Sequence, residues 1–173
     1  MTVTLIIAHE NDTSAEIEHA RLECAVASVL AAAGYVADRT EADYGEVEVN
    51  LCLVDRDESA HLNNAYRGKN YATNVLAFPA DAQVPGLWVL GDLVVCLPLV
   101  GDEASAQHKQ SEDHLLHLVV HGTLHLLGYD HIGDEDADIM ETMERRVLAG
   151  FNIADPYALS MDVGSENSDR QAL

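Results

Sequence analysis

Apolar and polar residues change their spacing several times along the chain, and each change marks an element. Val3 to Ile7 is a short apolar, β-branched run that predicts a first strand. From Ala15 to Ala33, Ile17, Leu22, Val26, Val29 and Leu30 recur on one helical face, with Ser14 placed to cap the start and Gly34 to end it. Glu46 to Val54 then alternates, with Val47, Val49, Leu51 and Leu53 on one side, as a half-buried strand does. Asp57 to Tyr66 predicts a short helix capped by Asp57 and followed by Gly68. Asn74 to Phe78, closed by Pro79, predicts another strand. A loop through Pro85-Gly86 leads into Leu87 to Leu97, interrupted at Gly91-Asp92, and these last two segments predict a hairpin.

The second half is helical. Ser111 to Leu127 carries Leu115, Leu116, Leu118, Val119, Val120, Leu124, Leu126 and Leu127, leaving little polar surface apart from a row of histidines. Such a helix is buried, so its histidine face must line a cleft within the core. A last helix, Glu135 to Leu148, presents Ile139, Met143 and Val147 at four-residue spacing and stops at Gly150. The pattern ends near Tyr157. Residues 1–157 are thus expected to form one domain, and the Ser/Asp/Glu-rich residues 158–173 a disordered acidic tail.

Composition adds three points. With 173 residues, 48% of them hydrophobic, one domain can bury a sizeable core. No apolar stretch reaches the eighteen or so residues of a membrane span, and no basic region with a secretory apolar segment opens the chain, so a soluble cytoplasmic protein is expected. Cys24, Cys52 and Cys96 are odd in number and lie in apolar segments, as reduced core residues do. The net charge of −21 should repel a polyanion unless the few cations gather, and Arg56, Arg67 and Lys69 fall within a short span.

The chemistry lies in His121-Gly122-Thr123-Leu124-His125-Leu126-Leu127-Gly128-Tyr129-Asp130-His131. Residues four apart on a helix are separated by about 40° around the axis and about 6 Å along it, so His121 and His125 can face one ion. Gly128 lets the helix end in a left-handed residue and return the chain, bringing His131 to the same point. Three imidazoles on Zn²⁺ leave a fourth position for water, the pattern of catalytic zinc sites; structural sites are closed by four protein ligands. The spacing equals that of the metzincin peptidases, but the glutamate that acts there as general base is replaced by Gly122, which argues against peptide hydrolysis. His114 and His117 lie on nearly the same face and are open to three readings: support for a ligand, contact with substrate, or surface residues. Asp130 is a candidate carboxylate for holding a ligand imidazole in one tautomer, or a turn residue.

Further motifs precede and follow this one: Asn63-x-x-Tyr66-Arg67-Gly68-Lys69, Thr73-Asn74-Val75-Leu76-x-Phe78-Pro79, Leu90-Gly91-Asp92, Met140-Glu141-x-x-Glu144 and Asp155-Pro156-Tyr157. In this order they resemble the YbeY family of bacterial metallo-endoribonucleases, over most of the chain from Glu46 to Tyr157. The resemblance implies an α+β fold with a small mixed β-sheet packed with helices, the metal site lying on the central buried helix and the following turn. It implies one zinc ion held by His121, His125 and His131 and an essential arginine at Arg67. It also implies cleavage of single-stranded RNA, in 16S rRNA 3′-end maturation and ribosome quality control. The implied partners are RNA and the small ribosomal subunit, and the acidic composition points to a ribosomal protein or ribosome-associated GTPase as a further source of affinity.

On this reading zinc brings the pKa of its water towards about 7, compensating for Gly122, while Arg67 donates two hydrogen bonds to the phosphate. The weaker alternative for Arg67 is a surface cation paired with nearby acids. Tyr66, Tyr71, Phe78 and Trp88 are candidates for stacking unpaired bases, with core packing the stronger reading for Phe78 and Trp88. Asn63 and Asn74 are open between turn chemistry and substrate contact. Two other functions share the motif: a non-catalytic assembly factor stabilised by zinc, and a zinc peptidase.

Overall fold

A computed structural model describes residues 2–9, 18–35 and 45–158, apart from the side chain of Asp81. Nine elements follow one another: β1 (Thr2–His9), α1 (His19–Ala32), β2 (Glu46–Val54), α2 (Arg56–Arg67), β3 (Val75–Val84), β4 (Leu87–Cys96), α3 (Leu97–Ala106), α4 (Ser111–Leu126) and α5 (Asp134–Ala149). The strands form one mixed sheet in the order β1-β2-β4-β3, with β1, β2 and β4 parallel and β3 antiparallel to β4. This is the expected α+β architecture. Ser14, proposed as the cap of the first helix, and the acidic tail beyond Ala158 lie outside the described residues.

Alternation along the strands sorts side chains onto two faces. Val47, Val49, Leu51 and Leu53 of β2 and Leu93 and Val95 of β4 join α1 and α4 in the main core. The intervening Val54, Val94 and Cys96 pack on the other face with Leu76, beside Leu62 of α2. α4 lies against β3 and β4 and is flanked by α1, α3 and α5. Its central residues Leu118, Val119, Val120 and Leu124 are fully buried, so its polar residues are fixed by packing on every side.

Several elements differ from the sequence reading, each for a local reason. β3 does not stop at Pro79 but runs to Val84, because it is an edge strand and its pairing slips between Pro79 and Ala82, where a missing N–H costs little. Opposite this slip, Gly91 has φ +147°, and a Cβ there would lie 2.3 Å from the Phe78 carbonyl oxygen, so only glycine allows the two strands to approach. α2 is capped by Asp55, whose carboxylate accepts from the Glu58 N–H at 2.9 Å; Asp57, expected as the cap, lies in the first turn. The helix α3 was absent from the expected elements; Pro98 sits in its first turn, where proline's missing N–H has no intrahelical partner to lose.

α5 is turned relative to the expected Ile139–Met143–Val147 stripe. Ile139 is 51% exposed, and the inward face is Ala137, Met140, Glu144, Val147 and Leu148. A buried glutamate on that face hides it from a search for apolar spacing. Cys24 is exposed, in contrast to the expected core position, while Cys52 is half-buried and Cys96 buried. No helix among the described residues is long and apolar enough to cross a membrane.

Candidate metal centre

α4 presents His114, His117 and His121 as buried side chains and His125 as a half-buried one near its end. The helix then closes as predicted: Gly128 has φ +89°, the Tyr129 N–H bonds the Leu124 carbonyl at 3.0 Å, and the chain returns with His131. One ring nitrogen from each of His121, His125 and His131 lies within 4.8 Å of the other two. His121 is buried and His131 exposed, so the cluster stands at the boundary between core and solvent.

Hydrogen bonds decide which nitrogen His121 and His125 leave free. His121 Nδ1 donates to Glu144 Oε1 at 2.8 Å, and His125 Nδ1 donates to the Tyr129 carbonyl oxygen at 2.9 Å. Both acceptors lack protons of their own, which leaves the lone pairs on the two Nε2 atoms. Those atoms face each other at 3.1 Å. Burial, reinforced by the neighbouring His121 and His131, lowers the His125 pKa to about 4, so this imidazole is neutral at pH 7. Two opposed lone pairs at that distance repel unless a cation lies between them. Two nitrogens on a tetrahedral zinc, each about 2.0 Å from it, are separated by about 3.3 Å, close to what the pair presents. The donor set therefore fits a zinc ion.

Glu144 organises the interior side of this cluster. It is fully buried and accepts three hydrogen bonds: from His121, from His117 Nε2 at 2.8 Å and from the Tyr157 hydroxyl at 2.6 Å. Burial alone would push its carboxyl up, but the bonds from His117 and His121 outweigh that and hold it well below the usual carboxylate range. Burial and the Glu144 charge push the Tyr157 hydroxyl far above its ordinary value, so it stays protonated and keeps donating. Burial likewise lowers the pKa of His117, against the pull of Glu144. Asp130, the carboxylate expected to orient a ligand, instead accepts from the His131 backbone N–H at 2.7 Å and is a turn residue. Glu144 takes the role assigned to Asp130. Only its place in Met140-Glu141-x-x-Glu144 marks it in the sequence.

The two other histidines of α4, His114 and His117, are not surface residues. His117 reaches the cluster through Glu144, while His114 Nε2 lies 2.7 Å from Glu103 on α3, away from the three ligands. Asn74 bonds the same Glu103 and accepts from the Val75 N–H at 2.7 Å, and Asn63 donates to the Tyr71 carbonyl at 2.8 Å, so both shape loops.

A cavity of about 480 Å³ opens on the histidines and is lined as well by Asn63, Arg67, Lys69, Tyr71 and Ile132. Arg67 ends α2 and Lys69 follows its left-handed Gly68, which turns this basic pair to the cavity. Neither forms an ion pair among the described residues, whereas Arg21, Arg56 and Arg145 are each paired with a carboxylate. Arg56, grouped with Arg67 and Lys69 by sequence, sits at the opposite end of α2 and bonds Asp102. Gly122 also lines the cavity, yet a Cβ there would lie 2.7 Å from Leu93 Cδ2 in the core. A larger side chain at that position would require the end of the Leu93 side chain to shift, so the absence of the peptidase base goes with close packing of α4 on β4.

A family model described as Endoribonuclease YbeY matches residues 7–152. The chain belongs to that family. Among YbeY relatives, it is 50% identical over 138 residues to Endoribonuclease YbeY of Alkalilimnicola ehrlichii, covering 78% of each chain. It is 45% identical over 155 residues to that of Xanthomonas oryzae pv. oryzae, covering 80% of this chain and 94% of the relative. The solution structure of TM1509 from Thermotoga maritima shares the fold, with a TM-score of 0.52 and 26% identity over 95% of this chain and all of the other.

Proposed function

We propose that this chain is a zinc-dependent endoribonuclease that cleaves single-stranded RNA. The observation that carries the reading is one cavity that joins three convergent histidines to two unpaired cations, Arg67 and Lys69, in a chain of net charge −21. Two cations that share a cavity with three histidines and form no ion pair among the described residues suit an anionic ligand. The YbeY relatives are named endoribonucleases, which makes that anion a phosphodiester of RNA.

His121, His125 and His131 would hold the ion, and zinc so held would supply Lewis acidity and activate water near neutral pH. Arg67 donates two parallel hydrogen bonds to phosphate oxygens and stabilises the charge that grows in the transition state. Lys69 draws the strand in by charge alone. Glu144 keeps the proton of His121 on Nδ1, so Nε2 always faces the ion, and the Tyr129 carbonyl does the same for His125. Two cations give limited affinity for a polyanion. A ribosomal protein or ribosome-associated GTPase would add the missing affinity, and the resemblance to the YbeY family implies that the substrate is presented by the small ribosomal subunit, during maturation of the 16S rRNA 3′ end and ribosome quality control.

The test measures bound zinc and cleavage of a labelled single-stranded RNA for the wild type, His125→Ala and Arg67→Ala. Zinc and cleavage should both vanish in His125→Ala. In Arg67→Ala zinc should stay while cleavage falls about 100-fold or more, as for loss of a transition-state donor. Unchanged cleavage by Arg67→Ala removes that residue from the mechanism, and zinc without cleavage in the wild type favours the non-catalytic assembly factor.

A further inference from the structure

Neither metal binding nor phosphate binding uses Tyr71. Of the four aromatic residues considered for base contact, Trp88 is buried against Tyr35, with ring centroids 5.3 Å apart, and Phe78 stands edge-on to Tyr66 at 4.8 Å. Tyr71 differs from all of them: it is 57% exposed, lines the cavity of the three histidines, and its side chain makes no hydrogen bond or ring contact among the described residues. Ile132, 88% exposed, lines the same cavity.

The backbone beneath this free ring is fixed. Asn63 Nδ2 donates to the Tyr71 carbonyl at 2.8 Å. Two residues on, Ser59 Oγ donates to the Thr73 carbonyl at 2.7 Å and accepts from the Thr73 N–H at 3.0 Å. Ser59 and Asn63 are each 1% exposed and lie one turn apart on α2, so the loop is tied to a rigid helix at two points. A loop that only joined α2 to β3 would not need two buried polar anchors. An aromatic ring held on a fixed backbone, exposed to a cavity and flanked by unpaired cations, suits a flat apolar group carried on an anionic chain.

We propose that Tyr71 is a stacking platform for an unpaired nucleobase next to the phosphate held by Arg67, with Ile132 adding apolar wall. The proposal rests on the RNA-cleavage reading above. A base in a duplex has both faces covered by its neighbours, so such a platform favours single strands whatever their sequence.

The experiment uses the zinc-loaded protein and a short labelled single-stranded RNA in which one nucleotide at a time is made abasic. Tyr71→Ala should raise KM about 5- to 150-fold, the range of one base–aromatic stack, with a much smaller change in kcat and unchanged bound zinc. Tyr71→Phe and Tyr71→Trp should keep KM within about threefold of wild type, since stacking needs only the ring. In the wild type one abasic position near the cut should raise KM by a similar factor. In Tyr71→Ala that same position should cost almost nothing further, because both changes remove one contact. An unchanged KM in Tyr71→Ala, or an abasic penalty equal in both proteins, overturns the platform while leaving RNA cleavage intact. Absence of cleavage by the wild type overturns the reading of the site itself, and the platform with it.

Discussion

His114 and His121 lie on the same helix, both are buried, and each meets a glutamate from a neighbouring helix: Glu103 of α3 at 2.7 Å, Glu144 of α5 at 2.8 Å. The difference is the nitrogen engaged. In the first pair the glutamate takes Nε2, and His114 Nδ1 is left buried without a partner among the described residues. In the second it takes Nδ1 and leaves Nε2 facing His125 across 3.1 Å. A buried histidine–glutamate pair is therefore not by itself a functional sign. What matters is which lone pair remains and whether others converge on it. Glu103 is 27% exposed at its side chain and ties α3 to α4, whereas Glu144 is 1% exposed and spends its oxygens on His117, His121 and Tyr157.

Removing each carboxylate breaks the comparison directly. Glu144→Ala should cost about 3–5 kcal/mol of stability, because two imidazole N–H groups and a hydroxyl are left buried without an acceptor. It should also weaken zinc binding about 10- to 100-fold through loss of the ligand's orientation. Urea unfolding and competition with a chelator measure the two effects separately; a stable variant with wild-type zinc affinity would remove Glu144 from the site.

Acid probes the metal side, with His117, whose pKa burial also lowers, adding a loss of the same sign that remains in His125→Ala. His125 titrates at about 4 when folded, against about 6.5 in an unfolded chain. The folded state then binds fewer protons between these values, so the stability His125 contributes is fully present above about pH 6.5 and is lost as pH falls through about 4. Glu144, held below the carboxylate range, has the same sign at lower pH. Unfolding of metal-free protein should show a loss of stability from pH 7 to pH 4, and the loss should shrink in His125→Ala. Equal losses in both proteins would place the titrating group elsewhere.

Glu103→Ala should have the smallest effect, about 1–2 kcal/mol of stability with no change in zinc affinity, since its partner His114 offers no atom to the ion. A fall in zinc affinity like that expected for Glu144→Ala would erase the distinction between the pairs.

The convergence of His121, His125 and His131 was legible in the sequence because helix geometry and one glycine determine their meeting point, and Gly128 adopts the left-handed conformation its position suggested. Glu144 was not, because a carboxylate among Ala137, Met140 and Val147 disguises a buried face as a polar one. Arg56 was grouped with Arg67 by closeness in sequence, but eleven residues of helix carry it to the other end of α2. The role of Gly122 was half visible. Its lack of a base is plain from the sequence, but its contact with Leu93 depends on how α4 packs on β4, which no local pattern contains.

The most direct test of the open three-histidine centre is X-ray absorption at the zinc edge of the purified protein. Three imidazole nitrogens at about 2.0 Å with one further light ligand from water are predicted, and the histidine signal should be lost in His125→Ala. A four-histidine or sulfur-containing shell, or an RNA-cleaving protein without zinc, would contradict it.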